Sequence, residues 1–173
     1  MLVIGGIFVD VKGFAREKYM PLERNVGDVQ VTAGGVCRNV AENLCGLGRE
    51  AQFVSMVDDN AIGEQVRKGL KRLGVNVKHV IAAPRGMGMW LAILDENGDL
   101  AGSISRQPDF SALEAYLREN GDAIVAATDG LALEFDMNAE ISGMMMALAK
   151  KHGKPVYSIV GNMGVILKHP EYL

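Results

Sequence analysis

Gly34-Gly35-Val36-Cys37-Arg38-Asn39-Val40-Ala41-Glu42-Asn43-Leu44-Cys45-Gly46-Leu47-Gly48 reads as a two-glycine turn that opens directly into an amphipathic helix. Glycine tolerates positive φ and close backbone approach, so the free N–H groups of the helix's first turn can face a ligand. That end of a helix also carries partial positive charge, which suits hydroxyl oxygens and anions. Val36, Val40, Leu44 and Leu47 form an apolar stripe, while Asn39 and Asn43 share a face near the glycine end. Asp10 follows the first apolar run, Leu2 to Val9, and can point into the same space. The arrangement suits a small polyhydroxy ligand.

Outward from this stretch the chain alternates strand and helix. Leu2 to Val9 has the continuous apolar character of a strand buried in a parallel sheet. Val11 to Met20 and Val26 to Ala33 are more polar, β-compatible segments joined by a turn around Pro21 to Asn25. After the helix from Val36 to Leu47 come a strand, Ala51 to Val57, and a helix capped by Asp59 or Asn60 that stops at Gly74. Val77 to Ile81 is a short strand. Met87 to Leu94 and Asp99 to Ile104 flank Asn97-Gly98, a strong hairpin signal. Ser111 with Glu114 predicts a capping box for a helix to Glu119. Ala123 to Ala127 reads as a strand, Ala139 to Lys151 as a helix and Pro155 to Ile159 as a strand, with a short helix before His169 and Pro170. The βαβ alternation predicts an α/β fold with a largely parallel, doubly wound sheet in a single domain.

Composition narrows the function classes. With 173 residues and about half of them apolar, the chain has the length of one globular domain that buries about 70% of its surface. Its apolar runs are strand-length, its start lacks the basic region and long apolar core of a signal peptide, and a cytoplasmic protein without membrane contact is expected. A net charge of −3 with interspersed signs argues against nucleic acid as a partner. The one basic cluster, Arg67-Lys68-Gly69-Leu70-Lys71-Arg72, sits on a predicted helix and reads as a solvated face. Cys37 and Cys45 are about 12 Å apart along one helix at 1.5 Å per residue, too far to pair. His79, His152 and His169 show no metal-ligand spacing with them. The opening VIGGIFVD lacks the G-x-G-x-x-G spacing of a dinucleotide site.

GGVCRNVAENLCGLG resembles the N-terminal signature of the PfkB-type, or ribokinase-like, carbohydrate and nucleoside kinases, and its GGxxRNxAxNLxxLG form is most similar to the pseudouridine kinase branch. VIGGIFVDVKG, NVGDVQVTAGG, DDNAIGEQVRKGLKRLGV and LAILDENGDL extend the resemblance, in the family's order, over most of residues 1–166. The resemblance implies a ribokinase-like (Rossmann-like) fold in which the segments 11–33 and 87–104 form a small antiparallel β lid over the acceptor site, with a homodimer through that lid as a further expectation. It implies transfer of the ATP γ-phosphoryl group, with Mg²⁺, to a hydroxymethyl oxygen of a sugar or nucleoside. Family members are roughly twice this length, and their D-T-x-G-A-G-D motif, which carries the catalytic base, has no counterpart among these 173 residues. The expectation is therefore the acceptor-binding part of a truncated kinase domain, inactive alone, or a non-catalytic sugar or nucleoside binding module.

Carried onto this chain, the resemblance assigns substrate binding to Asp10, Gly34, Gly35 and Asn39, with Asp10 accepting hydrogen bonds from adjacent sugar hydroxyls. Arg38 matches the pseudouridine kinase branch, and an ion pair with Glu42 is the competing reading. Asn43 is divided between a ligand contact and a structural one. Asp58, Asp59 and Gly63 resemble the family's G-D-D-x-x-G turn, with Asp59 read as a helix cap and Gly63 as a close-approach residue. Met87, Met89 and Trp90 either line the base or sugar pocket or pack against the lid. Met144, Met145 and Met146 read as core filling, and Asn162 as a polar residue on the phosphate side.

Overall fold

The first apolar run breaks at Gly5-Gly6, and the break separates two sheets. The computed structural model describes residues 1–160 and Leu167. β1 (Leu2–Ile4) ends before the two glycines, and β2 (Phe8–Ala15) begins after Ile7 in a different sheet. The single strand expected over Leu2 to Val9 is therefore two strands. There is no room for a side chain at the break: a Cβ on Gly5 would collide with the Glu134 carboxylate and stand 2.5 Å from Cys37 Sγ.

The remaining elements follow as β3 (Gly27–Gly34), α1 (Val36–Gly46), β4 (Gln52–Asp58), α2 (Ala61–Arg72), β5 (Asn76–Ala83), β6 (Gly88–Leu94), β7 (Leu100–Arg106), α3 (Ser111–Ala126), β8 (Leu131–Glu134), α4 (Ala139–Lys151) and β9 (Val156–Ile159). The larger sheet has the order β5-β4-β1-β8-β9 and is parallel throughout. Alternation along its strands divides the core. Leu2, Ile4, Val54, Met56, Leu131 and Leu133 pack against Leu113, Leu117, Ile141 and Met145 of α3 and α4. Val3, Phe53, Val57 and Ala132 face the other way, onto Cys37 and Ala41 of α1 and Leu70 of α2. Fully burying a leucine- or phenylalanine-sized side chain contributes about 1.5–3 kcal/mol, so these two layers dominate stability.

The smaller sheet, β3-β2-β6-β7, is mixed. Two antiparallel pairs, β2–β3 and β6–β7, are joined by a parallel β2–β6 contact, so the segments near 11–33 and 87–104 make one sheet of four strands. The hairpin turn between β6 and β7 puts Gly98 at φ +85, with Asp95 Oδ1 accepting from the N–H groups of Asn97 and Asp99 at 2.9 Å.

Local details both match and correct the sequence reading. Asn60, not Asp59, caps α2, its Oδ1 accepting from Ile62 and Gly63 N–H at 3.0 and 3.1 Å. Gly74 ends that helix at φ +86, with Val75 N–H donating to Leu70 O and Gly74 N–H to Lys71 O. The capping box at Ser111 does not form: Asp109 Oδ1 takes the Ser111 N–H and hydroxyl, and Glu114 pairs instead with Arg118 at 2.6 Å. Ala123–Ala127 is not a strand. It falls at the end of α3, where Ile124 and Val125 serve the core from a helical position. The strand that follows, Leu131-Ala132-Leu133-Glu134, had no strand signal because Leu, Ala and Glu are good helix formers, and its place between β1 and β9 in the sheet overrides that preference. The helix expected before His169, and Asn162, lie outside the described residues.

Candidate functional site

Strand order reverses beside β1: β4 and β5 lie on one side of it, β8 and β9 on the other. In an open parallel sheet the crevice beyond the carboxyl ends of the strands at such a reversal is where ligands bind. Here that crevice is bounded by Gly5 and Gly6 after β1, Glu134 at the end of β8, and the Gly34-Gly35 turn that opens α1.

The two glycine pairs interlock. Gly35, at φ +104, occupies the N-cap of α1, and a Cβ there would stand 2.6 Å from Gly6 O. Its carbonyl accepts the Asn39 N–H at 3.0 Å. Among the described residues no side chain caps α1 at this end. Gly34 lies under Asp10, whose Oδ2 would be 2.7 Å from a Cβ built on that glycine. Asp10 is not at the tip of the first main-sheet strand, as the sequence suggested. It sits within β2 of the smaller sheet, directly opposite Thr32 of β3 and Trp90 of β6. Among the described residues its half-buried carboxylate has neither a hydrogen-bond donor nor a cation, so its acceptor positions are uncommitted.

Arg38 is committed. Its Nη1 pairs with Glu42 Oε2 at 2.6 Å and donates to Asn39 Oδ1 at 2.9 Å. The ion-pair alternative for Arg38 is thus the observed one, and Asn39 is held by Arg38 while its amide stays exposed. Asn43 is exposed one turn further along α1. Asp10, Gly34 and Gly35 are brought together; Arg38 and Asn39 form a second pair beside them on the helix.

Glu134 was not anticipated. It is 7% exposed, and its Oε2 accepts the Gly6 N–H at 2.8 Å. Burial pushes its carboxyl above the ordinary value, the Gly6 hydrogen bond opposes this, and Asp136 adds to the rise. Cys37 lies against it, with Sγ donating to Ile4 O at 3.2 Å. Burial, followed by the Glu134 charge, raises the Cys37 thiol strongly, so it is a packed thiol and not a nucleophile. A signal for Glu134 did exist: an acid ending the short apolar run Leu131 to Leu133 after a helix.

Asp58 has a structural task. Its Oδ1 accepts the Met87 N–H at 2.8 Å, and its Oδ2 pairs with Arg106 at 3.1 Å, while Arg106 also donates to Met87 O. This clamp fastens the start of β6 and the end of β7 to the main sheet. Gly63 closes on the Asp58 backbone as expected. Met87 is buried in the core, whereas Met89 and Trp90 are half-buried on opposite faces of β6. His79 is engaged with Tyr116 and His152 with Asp122, away from the crevice.

The face of the smaller sheet that holds Asp10 carries several polar residues beside Phe14 and the buried Ala92. Asp10, Lys12, Gln30, Thr32, Trp90, Ser103 and Ser105 alternate onto it. At its β7 end opens a cavity of about 670 Å³ lined by residues including Ser105, Gln107, Phe110 and Asn138. Phe110 also reaches Gly6, 3.4 Å from where its Cβ would be, which connects this cavity to the crevice.

Comparison with known proteins gives a consistent result. The pfkB family carbohydrate kinase pattern matches residues 1–160. Guanosine-inosine kinase of Exiguobacterium acetylicum is 38% identical over 172 residues, 99% of this chain and 57% of that protein. Pseudouridine kinase of Escherichia coli (strain K12) is 30% identical over 129 residues, 73% of this chain and 41% of that protein. A carbohydrate kinase from Agrobacterium tumefaciens superposes with a TM-score of 0.80 at 23% identity, covering 99% of this chain and 57% of that one. Arabidopsis thaliana ribokinase, solved with ribose and ATP, gives 0.77 at 20% identity, covering 94% and 53%. The fold is ribokinase-like, and the chain spans about half the length of the curated relatives it matches. With its crevice at the strand reversal and its family pattern over residues 1–160, the chain belongs to the pfkB family of carbohydrate kinases.

Proposed function

We propose that this chain is the acceptor-binding part of an ATP-dependent nucleoside or sugar kinase of the pseudouridine kinase type, one that phosphorylates a hydroxymethyl group. The observation that carries this reading is the uncommitted Asp10 carboxylate over the Gly34-Gly35 turn at the mouth of the strand-reversal crevice. A carboxylate with free acceptor positions can take two hydroxyl protons from one sugar, and charge-assisted hydrogen bonds of this kind are the stronger ones. The first-turn N–H groups of α1, uncapped by any side chain, supply donors on the other side of the same hydroxyls. Asn39 adds an exposed amide, and Arg38 holds it by its Oδ1. Glu134 closes the floor through Gly6.

ATP and Mg²⁺ belong to the proposed reaction. Among the described residues no three His, Cys, Asp or Glu are grouped to hold a metal ion. The part they play is to bind and orient the acceptor. The smaller sheet serves as a lid over it. A homodimer through that lid is part of the same reading: Val31, Val11, Leu91 and Ile104 stand in one row on the face away from Asp10, with Val31 64% and Ile104 73% exposed. No helix among the described residues is long and apolar enough to cross a membrane, and a cytoplasmic place of action fits an ATP-dependent kinase. A second reading, a binding module without catalysis, is favoured for the chain by itself because residues 1–173 contain no D-T-x-G-A-G-D stretch.

Calorimetric titration with guanosine, pseudouridine and ribose tests the reading. Saturable binding of at least one is expected, and no heat from any of them would overturn the acceptor site.

A further inference from the structure

We propose that the turn joining β2 to β3 docks, in a second copy of this chain, into a cavity between β3 and α2; the inference deepens the lid dimer proposed above by naming what anchors it. The turn Met20-Pro21-Leu22-Glu23 is closed by Glu23 N–H donating to Met20 O at 3.4 Å. Leu22, its third residue, stands at φ +67 and is fully exposed. Positive φ at that place favours glycine or asparagine, and a branched apolar side chain displayed there in water does nothing for its own fold. The loop is nevertheless held firmly. Asn25 Oδ1 accepts the Met20 N–H at 2.8 Å, and Asn25 Nδ2 donates to Met20 O at 2.9 Å and Glu23 O at 3.1 Å. Tyr19 N–H donates to Glu96 Oε2 at 2.9 Å. A strained residue kept in place by its surroundings, with a large apolar side chain upon it, is a preorganised anchor for another surface.

The receiving surface lies at the other end of β3. A cavity of about 200 Å³ opens between that strand and α2, with Val31, Ile62, Val66, Leu73 and Arg72 among its lining residues. It is smaller than the usual small-ligand site of about 300–1,000 Å³ and suits a single inserted side chain better than a whole small molecule. Its walls are open to a partner, Val31 being 64%, Ile62 48% and Leu73 44% exposed. The turn matches it in chemistry: Leu22 supplies the apolar group and the adjoining Glu23 an acid for Arg72. Among the described residues neither the Glu23 carboxylate nor the Arg72 guanidinium has a hydrogen-bond or ion-pair partner. Gly27 to Thr32 spans about 17 Å along β3, so the turn cannot fill the cavity of its own copy. A two-fold axis near Val29, midway along β3 and 71% exposed, carries each turn to the other copy's cavity and makes the contact twice. Val31 belongs both to the cavity wall and to the row with Val11, Leu91 and Ile104, so the docking surface continues the lid face.

Sedimentation equilibrium of the 173-residue chain and four variants tests the docking. A monomer–dimer equilibrium is expected for the unaltered chain. Leu22→Gly should weaken the dimer about tenfold or more while leaving the urea midpoint of the dilute monomer nearly unchanged, because glycine relaxes the positive φ that leucine strains. Glu23→Arg and Arg72→Glu, both at exposed positions, should each weaken the dimer about tenfold by setting like charges against each other. The two reversals combined in one chain should restore it to within about threefold of the parent. A dimer that none of these variants weakens, or a double variant no tighter than the single ones, would overturn the docking. If Ile104→Glu still dissociates that dimer, the lid-face dimer stands without the anchor. A chain that stays monomeric at every concentration would remove both.

Discussion

Replacing Asp58 by alanine should loosen the smaller sheet from the larger, with a cost that can be worked from the clamp. Asp58 is 8% exposed; it accepts the N–H of Met87, itself 1% exposed, and faces an Arg106 side chain that is 36% exposed. Alanine leaves the Met87 N–H buried without an acceptor, a loss of about 1–3 kcal/mol. The Arg106 pair is open to solvent on one side and adds no more than about 1 kcal/mol. The total is about 1–4 kcal/mol, a sizeable fraction of the roughly 5–15 kcal/mol that stabilises an ordinary domain. Asp58→Asn keeps an oxygen facing Met87 N–H and removes only the charge, so it should cost about 1 kcal/mol. Urea unfolding followed by circular dichroism gives the whole chain, and Trp90 emission reports from β6, three residues beyond Met87. In Asp58→Ala the emission transition should move to lower urea at least as far as the dichroism transition. A loss below about 0.5 kcal/mol, or an asparagine variant as unstable as the alanine one, would refute the claim that the Met87 hydrogen bond is the main term.

The buried Glu134 gives a pH-dependent prediction. Its carboxyl is raised above the ordinary 4.5, so the protonated form is favoured in the folded state; that contribution is complete below 4.5 and is lost as pH rises through the raised value. Glu134→Gln keeps an acceptor for Gly6 N–H without this loss, so urea midpoints should coincide near about pH 4 and favour the glutamine variant increasingly at higher pH; a variant that is less stable at neutral pH contradicts the assignment. The chain alone, incubated with ATP, Mg²⁺ and a nucleoside or ribose, should show no measurable phosphorylation, because positioning and charge stabilisation supply nearly all of phosphoryl transfer and the proposed role of the residues here is to bind the acceptor. Turnover that survives rigorous purification would contradict this.

Most of the fold was legible because the deciding signals are local. The glycine pair before Val36, the cap at Asn60, the stop at Gly74 and the Asn97-Gly98 hairpin each act within a few residues, and each is present. The misreadings arose where long-range packing decides. Leu2 to Val9 is uniformly apolar, and only the approach of Glu134 and Cys37 to Gly5 breaks it. Ile124 and Val125 are β-branched, yet they complete a helix because the core they fill lies on its inner face. Leu131 to Glu134 carries helix-forming residues in an interior strand of the sheet. For the candidate site, the nearness of Asp10 to the glycine turn was legible through their motif. Glu134 reaches the same crevice from 128 residues away along the chain through one hydrogen bond to Gly6, a relation that spacing does not express. The neighbourhood of Trp90 and Asp10 likewise follows from the parallel β2–β6 register, since the sequence signalled only the antiparallel partners.

The most direct test of the acceptor site is a calorimetric titration of Asp10→Ala beside the unaltered chain, with guanosine, pseudouridine and ribose as ligands. Loss of a charge-assisted hydrogen bond costs roughly 1.5–3 kcal/mol, so the variant should bind every acceptor about tenfold or more weakly. Asp10 pairs with nothing among the described residues, so its unfolding midpoint should stay close to that of the parent. Equal affinities for the two proteins would take Asp10 out of the site and contradict the account.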